Sequence, residues 1–355
     1  MRMPQVSVAM VVCNAQQFLA EAIESVLAQT FIDFEFLIGD FGSTDDSKAI
    51  IAAYTANDNR IKFLELPKSG LVEARNAACC HAQGNYVAVM DADDVCLPNR
   101  LRWEVEFMEQ HPDVGVVGGA TDWIDAGGRS LGVHDFPTED REIKSALETR
   151  FPFCHPTLLI RNAAFKTVGG YRKAFAFAHD YDLGVRLAER FECANLEQVV
   201  LKYRIHPGQV SLRKQKQQTL CRLAAQASVP FRRSGKPDPL DGAGEITPAT
   251  LVALGVPEAR QRNILAADGR NWIRSMVAAG EHSAALAAAA DLLNTDCKDI
   301  EAWQIADLHL TMARLYWKQG HILQAAGAAT RAVAKRPLIL GRPLKALIRR
   351  DQPGE

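Results

Sequence analysis

Apolar runs alternate with amphipathic stretches over the first two hundred residues. Val6 to Val12 is β-branched and apolar, as a strand buried on both faces requires. Phe18, Leu19, Ala22, Ile23, Val26 and Leu27 then recur at helical spacing and predict an amphipathic helix. Phe34 to Ile38 and Ile61 to Leu66 read as two further strands, with a helix through Ala49, Ile50 and Ala53 between them. Gly42 permits a tight turn before that helix, and Ser43, Thr44 or Asp45 can cap it. Gly70-Leu71 opens a helix that carries Arg75 and Asn76 and ends near Gly84. Val87 to Met90 is a fourth apolar strand. Strands and helices in this alternation predict an α/β sheet with right-handed crossovers.

The pattern continues with a helix from Pro98 to Gln110 and a strand from Val114 to Val117. Asp122 to Pro137 is rich in Gly, Asp and Pro and is expected to be a loop. His155 to Ile160 reads as a strand, followed by a short helix to Gly169-Gly170. A helix opens at Ala178-His179-Asp180-Tyr181-Asp182, and a strand from Leu196 to Arg204 leads into His206-Pro207-Gly208. Composition then shifts. Pro230 to Pro248 is rich in Pro and Gly and reads as a linker. Thr247-Pro248 is a helix start, and the remainder is Ala-rich and helical. A weak repeat sets Gly280 and Ala285 against Gly320 and Ala325, with small residues where a tetratricopeptide helix pair would touch. The copies lie 40 residues apart rather than that repeat's 34, and a generic helical bundle fits equally. The expected division is an α/β domain over 1–212, a helical extension and linker over 213–246, and an all-α region over 247–355.

Composition narrows the class. The chain has 355 residues and a formal net charge of -1, so no global field argues for nucleic acid. Its eight cysteines are scattered without a C-x-x-C pair. That indicates neither a zinc site nor a disulfide framework, and reduced thiols in a cytoplasmic protein fit it best. The apolar stretch from Val6 to Cys13 is too short for a signal peptide, and no run approaches the ~20 residues of a membrane span. Near the end, Lys335, Arg336, Arg342, Lys345, Arg349 and Arg350 interleave with Leu338, Ile339, Leu340, Leu344, Leu347 and Ile348. Such a basic amphipathic segment can hold a protein peripherally on an anionic inner membrane face; a solvated terminal helix is the plain alternative.

Candidate chemistry gathers at strand ends. The fourth strand runs straight into Asp91-Ala92-Asp93-Asp94, and Asp40 closes the second. In an open parallel sheet, ligands bind beyond the carboxyl ends of the strands. Carboxylates this close repel one another unless a hard divalent cation, Mg²⁺ or Mn²⁺, is held between them and a phosphate. An acidic turn capping the next helix explains the same residues without a metal. Asp180 stands at a helix start, where capping and general-base roles are both open.

Together these stretches resemble a family 2 glycosyltransferase of the GT-A fold, a Rossmann-like mixed sheet flanked by helices. The resemblance rests on Val6-Ser7-Val8 with Asn14, Ser25 to Phe31, Gly39-Asp40-Phe41-Gly42-Ser43-Thr44-Asp45, and Gly70-Leu71 with Ala74-Arg75-Asn76. It continues through Asp91-Ala92-Asp93-Asp94, Gly169-Gly170-Tyr171, His179 to Leu183, and Arg186. It implies that Asp40 accepts a hydrogen bond from a nucleotide base, with Asn14 in the same donor site. It puts Arg75 near the nucleotide or diphosphate, Asp91 on the ribose side, Asp93 on the metal and Asp180 in the role of base. His206 falls where a late metal or phosphate contact can occur. The implied reaction is metal-dependent, inverting transfer from a nucleotide-diphosphate sugar to a glycan, lipid-linked or protein acceptor. Its setting would be bacterial surface polysaccharide or glycoconjugate assembly. Phe41 stands where the family usually has a second Asp, and Val11-Val12-Cys13 departs from the usual pattern. Both flank the base pocket, so UDP is the default while dTDP and GDP stay open.

Two other readings compete. A nucleotidyltransferase would carry a Gly-rich, basic loop after the first strand, and Val12 to Gln17 has no Gly, Arg or Lys. A degenerate transferase domain could serve as a scaffold for the C-terminal helices; retention of Asp40, Asp91, Asp93 and Asp180 argues against it. Arg186 is open between a structural ion pair and a donor contact. His155 reads as structural, and the cysteines read as small buried hydrophobes.

Overall fold

A computed structural model describes residues 3–68, 70–206, 215–278, 280–294 and 300–337. The chain divides into two compact units, Met1–Ile205 with Cys221–Ile246, and His206–Leu220 with Thr247–Glu355.

In the first unit, β1 (Val6–Val12), β2 (Phe34–Asp40), β3 (Ile61–Glu65) and β4 (Tyr86–Met90) run parallel, in the order β3-β2-β1-β4. Every residue of β1, β2 and β4 is buried, which is why these segments are predominantly apolar rather than alternating; the buried exceptions are Ser7 and Glu35, with Ser7 donating to Glu35 at 2.6 Å, and Asp40 at the strand end. Helix α1 (Leu19–Leu27) buries Leu19, Ala22, Ile23 and Val26, the stripe its spacing predicted. Helices α2 (Ser47–Asn57), α3 (Leu71–Cys80) and α4 (Arg100–Gln110) are the next crossovers. Register matters for function. Val12 lies beside Asp40, and Met10 beside Met90, so the ends of β1, β2 and β4 share one edge of the sheet.

The sheet then turns mixed. β8 (Leu159–Arg161) is antiparallel between β4 and β6 (Val114–Ile124); β9 (Glu192–Arg204) runs parallel to β6. The two-residue β5 (Val95–Cys96), just after the acidic turn, pairs antiparallel with β9. Three expectations change here. The loop over 122–137 is partly a hairpin: β6 extends to Ile124 and pairs with β7 (Ser130–His134). Asp125 accepts the N–H groups of Gly127 and Arg129 at the tip, and Trp123 stacks on His134 at 3.9 Å. Polar composition hid a strand whose stability comes from cross-strand pairs. The strand expected from His155 begins only at Leu159, because Pro156 forces a 3₁₀ turn over His155–Thr157. β9 starts at Glu192, earlier than its apolar run.

Helices α5 (Asp140–Ala146), α6 (Asn162–Thr167) and α7 (His179–Ala188) complete the α/β core, and α8 (Gln215–Arg233) follows. Pro230 sits inside α8. The stretch read as a linker is tied down instead. Leu223, Ala224, Ala225 and Leu240 are buried, and the Asp238 carboxylate pairs with Arg172 at 2.8 Å and Arg232 at 2.5 Å. Residues 221–246 thus belong to the first unit. Turn-forming composition specifies bends, not freedom from packing.

In the second unit, α9 (Pro248–Ala253) opens with a capping box, in which Thr247 and Thr250 exchange side-chain and backbone bonds at 3.2 Å. Helices α10 (Glu258–Ala278), α11 (His282–Leu293), α12 (Ala302–Lys318) and α13 (Ile322–Lys335) form two helical hairpins. The two glycines of the weak repeat each end a helix in the same way. Gly280 and Gly320 take φ of 82° and 78°. The residue after each donates to the carbonyl five positions back, one further than in the helix, Glu281 to Met276 and His321 to Tyr316, both at 2.9 Å. Small residues at Ala285, Ala289, Ala328 and Ala332 are fully buried between the helices.

Candidate active site

The site is built on the shared edge of β1, β2 and β4. Asp40, 1% exposed, accepts the N–H groups of Gly42 and Ser43 on Oδ1, each at 3.1 Å, with Lys48 Nζ at 3.7 Å. Its Oδ2 is buried without a hydrogen-bond partner. A buried carboxylate oxygen left open in this way is a ready acceptor for an incoming donor group. Gly42 has φ 115°, and Asn14 also adopts the left-handed region at φ 55°. Asn14 braces the Gly42 turn: its Oδ1 accepts the Thr44 N–H at 2.8 Å, and its N–H donates to Ser43 Oγ at 2.9 Å. Thus Asn14 holds the loop that surrounds Asp40. Cys13, partly shielded and facing the charges of Asp40 and Asp45, has its thiol pushed up.

At the end of β4, Arg75 of α3 donates to Asp91 Oδ1 at 2.7 Å. Arg75 is 7% exposed, so the pair is shielded from water on that side. Around it lie His155, Tyr171 and His179, whose rings meet edge to face at 5.2–5.8 Å. His155 Nε2 and the Tyr171 hydroxyl are 3.0 Å apart, the structural role expected of His155. Burial, and then the Arg75 charge, hold both histidines well below the usual imidazole range, so they are neutral.

Asp180 sits in the first turn of α7. Burial pushes its carboxyl up to about 6, against the downward pull of the Tyr181 N–H and of Arg75; the Asp91 charge adds to the rise. A helix N-terminus favours the ionised carboxylate, and burial outweighs that pull. Arg75, Asp91 and Asp180 therefore feel one another within a single electrostatic cluster.

The acidic turn has an anchor that sequence reading missed. Arg204, at the end of β9, donates its backbone N–H to Asp94 Oδ1 at 2.8 Å and its Nε to the Asp93 carbonyl at 2.9 Å. It also reaches Glu21 at 2.6 Å and lies over the Phe18 ring at 4.6 Å. Asp94 Oδ2 is buried without a hydrogen-bond partner. Burial, then Asp93, then Asp91, push its carboxyl well up. A crowd of carboxylates under this strain favours a cation nearby. Among the described residues, no three His, Cys, Asp or Glu side chains converge as a complete metal cage. His206 is half-buried, two residues beyond Arg204, and begins the second unit. Arg186, open in the sequence, is structural: it pairs with Asp182 at 2.7 Å and donates to the Gly170 carbonyl at 2.7 Å. Asn76 exchanges two bonds with the Tyr171 backbone, at 2.8 and 2.9 Å, locking α3 to the turn before α7.

Residues 7–169 match the model of glycosyl transferase family 2. The putative glycosyltransferase EpsE of Bacillus subtilis (strain 168) is 35% identical over 206 residues, covering 57% of this chain and 73% of that protein. The chain belongs to glycosyl transferase family 2. This glycosyltransferase is also 32% identical to the O-antigen biosynthesis glycosyltransferase WbnJ of Escherichia coli, over 57% of its own length and 80% of WbnJ. Among solved structures, S. aureus TarS 1-349 in complex with UDP-GlcNAc aligns over 92% of the transferase and 90% of that chain, with TM-score 0.52 and 18% identity. The mannosyltransferase PcManGT of Pyrobaculum calidifontis, in complex with GDP-Man and Mn²⁺, aligns over 96% and 88%, with TM-score 0.51 and 18% identity. At that identity the structural likeness speaks for the GT-A fold alone.

Proposed function

We propose that this transferase is an inverting enzyme that moves a sugar from a nucleotide-diphosphate donor, UDP-sugar by preference, to a hydroxyl of a glycan, lipid-linked or protein acceptor. The observation that carries the reading is Asp180: a carboxyl raised to about 6 beside the Arg75–Asp91 pair, on the edge that also holds Asp40. A base with that affinity is ionised at neutral pH and still takes a proton readily. The acceptor O–H bond breaks as its proton passes to Asp180. The acceptor oxygen bonds the anomeric carbon from the face opposite the leaving group. The diphosphate departs with the electron pair of the broken C–O bond, and the configuration inverts.

Asp40 Oδ2 receives a base N–H, in a pocket shaped by Asn14 and the Gly42 turn. Asp91 faces the ribose, with Arg75 beside the diphosphate. The acidic turn fits a divalent ion of the Mn²⁺ or Mg²⁺ type. An ion of that kind is held by one or two carboxylates plus substrate phosphates, so no complete protein cage is needed. Asp93 is the assigned ligand, and His206 follows Arg204 closely enough in the chain to be the second. When bound, the ion neutralises charge on the leaving diphosphate. TarS and PcManGT, described with UDP-GlcNAc and with GDP-Man and Mn²⁺, support this donor class by likeness of fold.

WbnJ, by its part in O-antigen biosynthesis, supports surface polysaccharide or glycoconjugate assembly as the setting. No helix among the described residues is long and apolar enough to cross a membrane. The basic amphipathic segment is described only through Pro337, and the rest lies outside the described residues. Exposed Trp317, Ile322 and Leu323 at the tip of the α12–α13 hairpin add to a peripheral contact. Liposome co-sedimentation with and without residues 335–355 checks it: no binding by the intact chain ends the idea.

The donor reading is tested by thermal shift with nucleoside diphosphates, with and without Mn²⁺, on wild type and Asp93→Ala. Saturation at a hundred times Kd adds about 2.7 kcal/mol to stability. A metal-dependent shift with one diphosphate, lost in the variant, supports the reading and names the base. No shift with any nucleotide moves the assignment to a non-catalytic scaffold.

A further inference from the structure

The second unit contains a cavity of about 390 Å³ between α11, α12 and α13. One wall is apolar, formed by Leu293, Ile305 and Met312. The other carries Arg331 and Lys335, one helical turn apart on α13, with His309 of α12 beside them. Among the described residues, no acidic side chain lines the cavity. Like charges at this spacing repel each other on a helix, so the pair is placed at a cost. Neither cation has an ion-pair partner among the described residues. His309 Nδ1 is buried without a hydrogen-bond partner. Its imidazole is held below the usual range by burial and then by the Arg331 and Lys335 charges.

We infer that this cavity binds a phosphate-bearing amphiphile, with the phosphate between Arg331 and Lys335 and an apolar part against Leu293, Ile305 and Met312. Two unpaired cations and a neutral imidazole suit a phosphate, which takes charge-assisted bonds from both and a further bond from a ring N–H. Volume decides against the bare ion. At ~30 Å³ per water-sized group, the space holds about thirteen such groups, and a phosphate leaves most of the apolar wall uncovered. Every residue lining the cavity belongs to the second unit.

The test is titration calorimetry of the full chain at low salt with two probes, dihexanoyl phosphatidic acid below its micelle concentration and inorganic phosphate. Wild type is compared with Arg331→Gln/Lys335→Gln, and with Arg102→Gln/Arg141→Gln as a charge-matched control on exposed residues of the first unit. The expected result is binding of the lipid, weakened at least tenfold by the first double variant and unchanged by the control. Far weaker binding of phosphate supports the apolar contribution. Equal binding of both probes, or equal weakening by the control, overturns the amphiphile site. So does absence of lipid binding by wild type. Both substituted side chains are exposed, so folding is not at stake, and an unaltered circular dichroism melt confirms it. Nucleoside diphosphate binding, measured in parallel, reports on the donor site separately.

Discussion

Arg204 and Asp94 lie 110 residues apart in the chain and meet at 2.8 Å, backbone N–H to carboxylate. The last strand of the sheet thereby fixes the turn that follows its fourth. The Arg204 side chain adds the bond to the Asp93 carbonyl at 2.9 Å, while being itself 2% exposed. Replacing Arg204 by Met keeps the backbone bond and removes the rest. A charged hydrogen bond is worth roughly 1.5–3 kcal/mol, and the Glu21 partner is too exposed to add much. Urea denaturation is expected to show a loss of that size. Calorimetry with Mn²⁺ and nucleoside diphosphate is expected to show about tenfold weaker binding, because the turn that presents Asp93 loses its clamp.

Asp180→Asn separates binding from chemistry. The amide keeps the shape and the helix-start position but accepts no proton. Turnover is expected to fall about 10²–10⁴-fold, with donor affinity little changed. The sign of the pH effect follows from the raised carboxyl. Only the ionised form serves as base, so wild-type kcat/KM falls as pH drops through about 6. Against an unperturbed Asp, whose limb lies near 3.8, that loss comes about two pH units earlier. A pH–rate profile that stays flat down to pH 4.5 would sink the assignment.

Asp40→Asn addresses the base pocket. Asn can still accept from Gly42 and Ser43, but its second position becomes an N–H₂ facing the space where Asp40 Oδ2 is now unpartnered. A donor there opposes a donor on the base. Nucleoside diphosphate affinity is expected to drop by about 1–3 kcal/mol, the cost of an unsatisfied polar pair, with the metal requirement unchanged. Competition binding with UDP, GDP and dTDP measures it.

The fold beneath the acidic turn rests on a buried ion pair. Arg100 and Glu104, both 0% exposed on α4, meet at 3.0 Å, and Arg100 also donates to the Val89 carbonyl of β4 at 2.9 Å. Burial alone pushes Glu104 up to about 7 despite its partner. Glu104→Ala leaves the guanidinium buried without its counter-charge, and a loss of about 3–5 kcal/mol is expected. Arg100→Met/Glu104→Leu removes both charges and is expected to recover most of it. Comparing the two denaturation curves decides between a pair that stabilises and one that only tolerates burial.

Much of this was legible in the chain itself. The apolar runs of β1, β2 and β4 and the stripe of α1 announced a sheet covered on both faces, because burial favours apolar side chains and admits a polar pair such as Ser7 and Glu35 only when it is hydrogen-bonded. Asp40 and Asp91 to Asp94 stood out because charge breaks off an apolar run at a strand end. The hairpin of β6 and β7, and the packing of residues 221–246, were not legible. Their stability comes from partners far along the chain, Trp123 on His134 and Asp238 on Arg172, and not from local pattern.

By itself the sequence determined the strand–helix alternation, the family, and which carboxylates lie at strand ends. The alternation and the strand-end carboxylates follow from near-neighbour spacing and the hydrophobic effect; the family follows from the resemblance of the motifs. The tertiary structure alone decided how those groups behave. Whether Asp180 is a free acid or a base near neutrality depends on burial and on Arg75 and Asp91, each brought close by different crossovers. That Arg186 serves Asp182, and that Arg204 serves the acidic turn, depends equally on chain paths that meet only in the folded sheet. A charge's neighbours are set by distance in space, and distance along the chain says little about them.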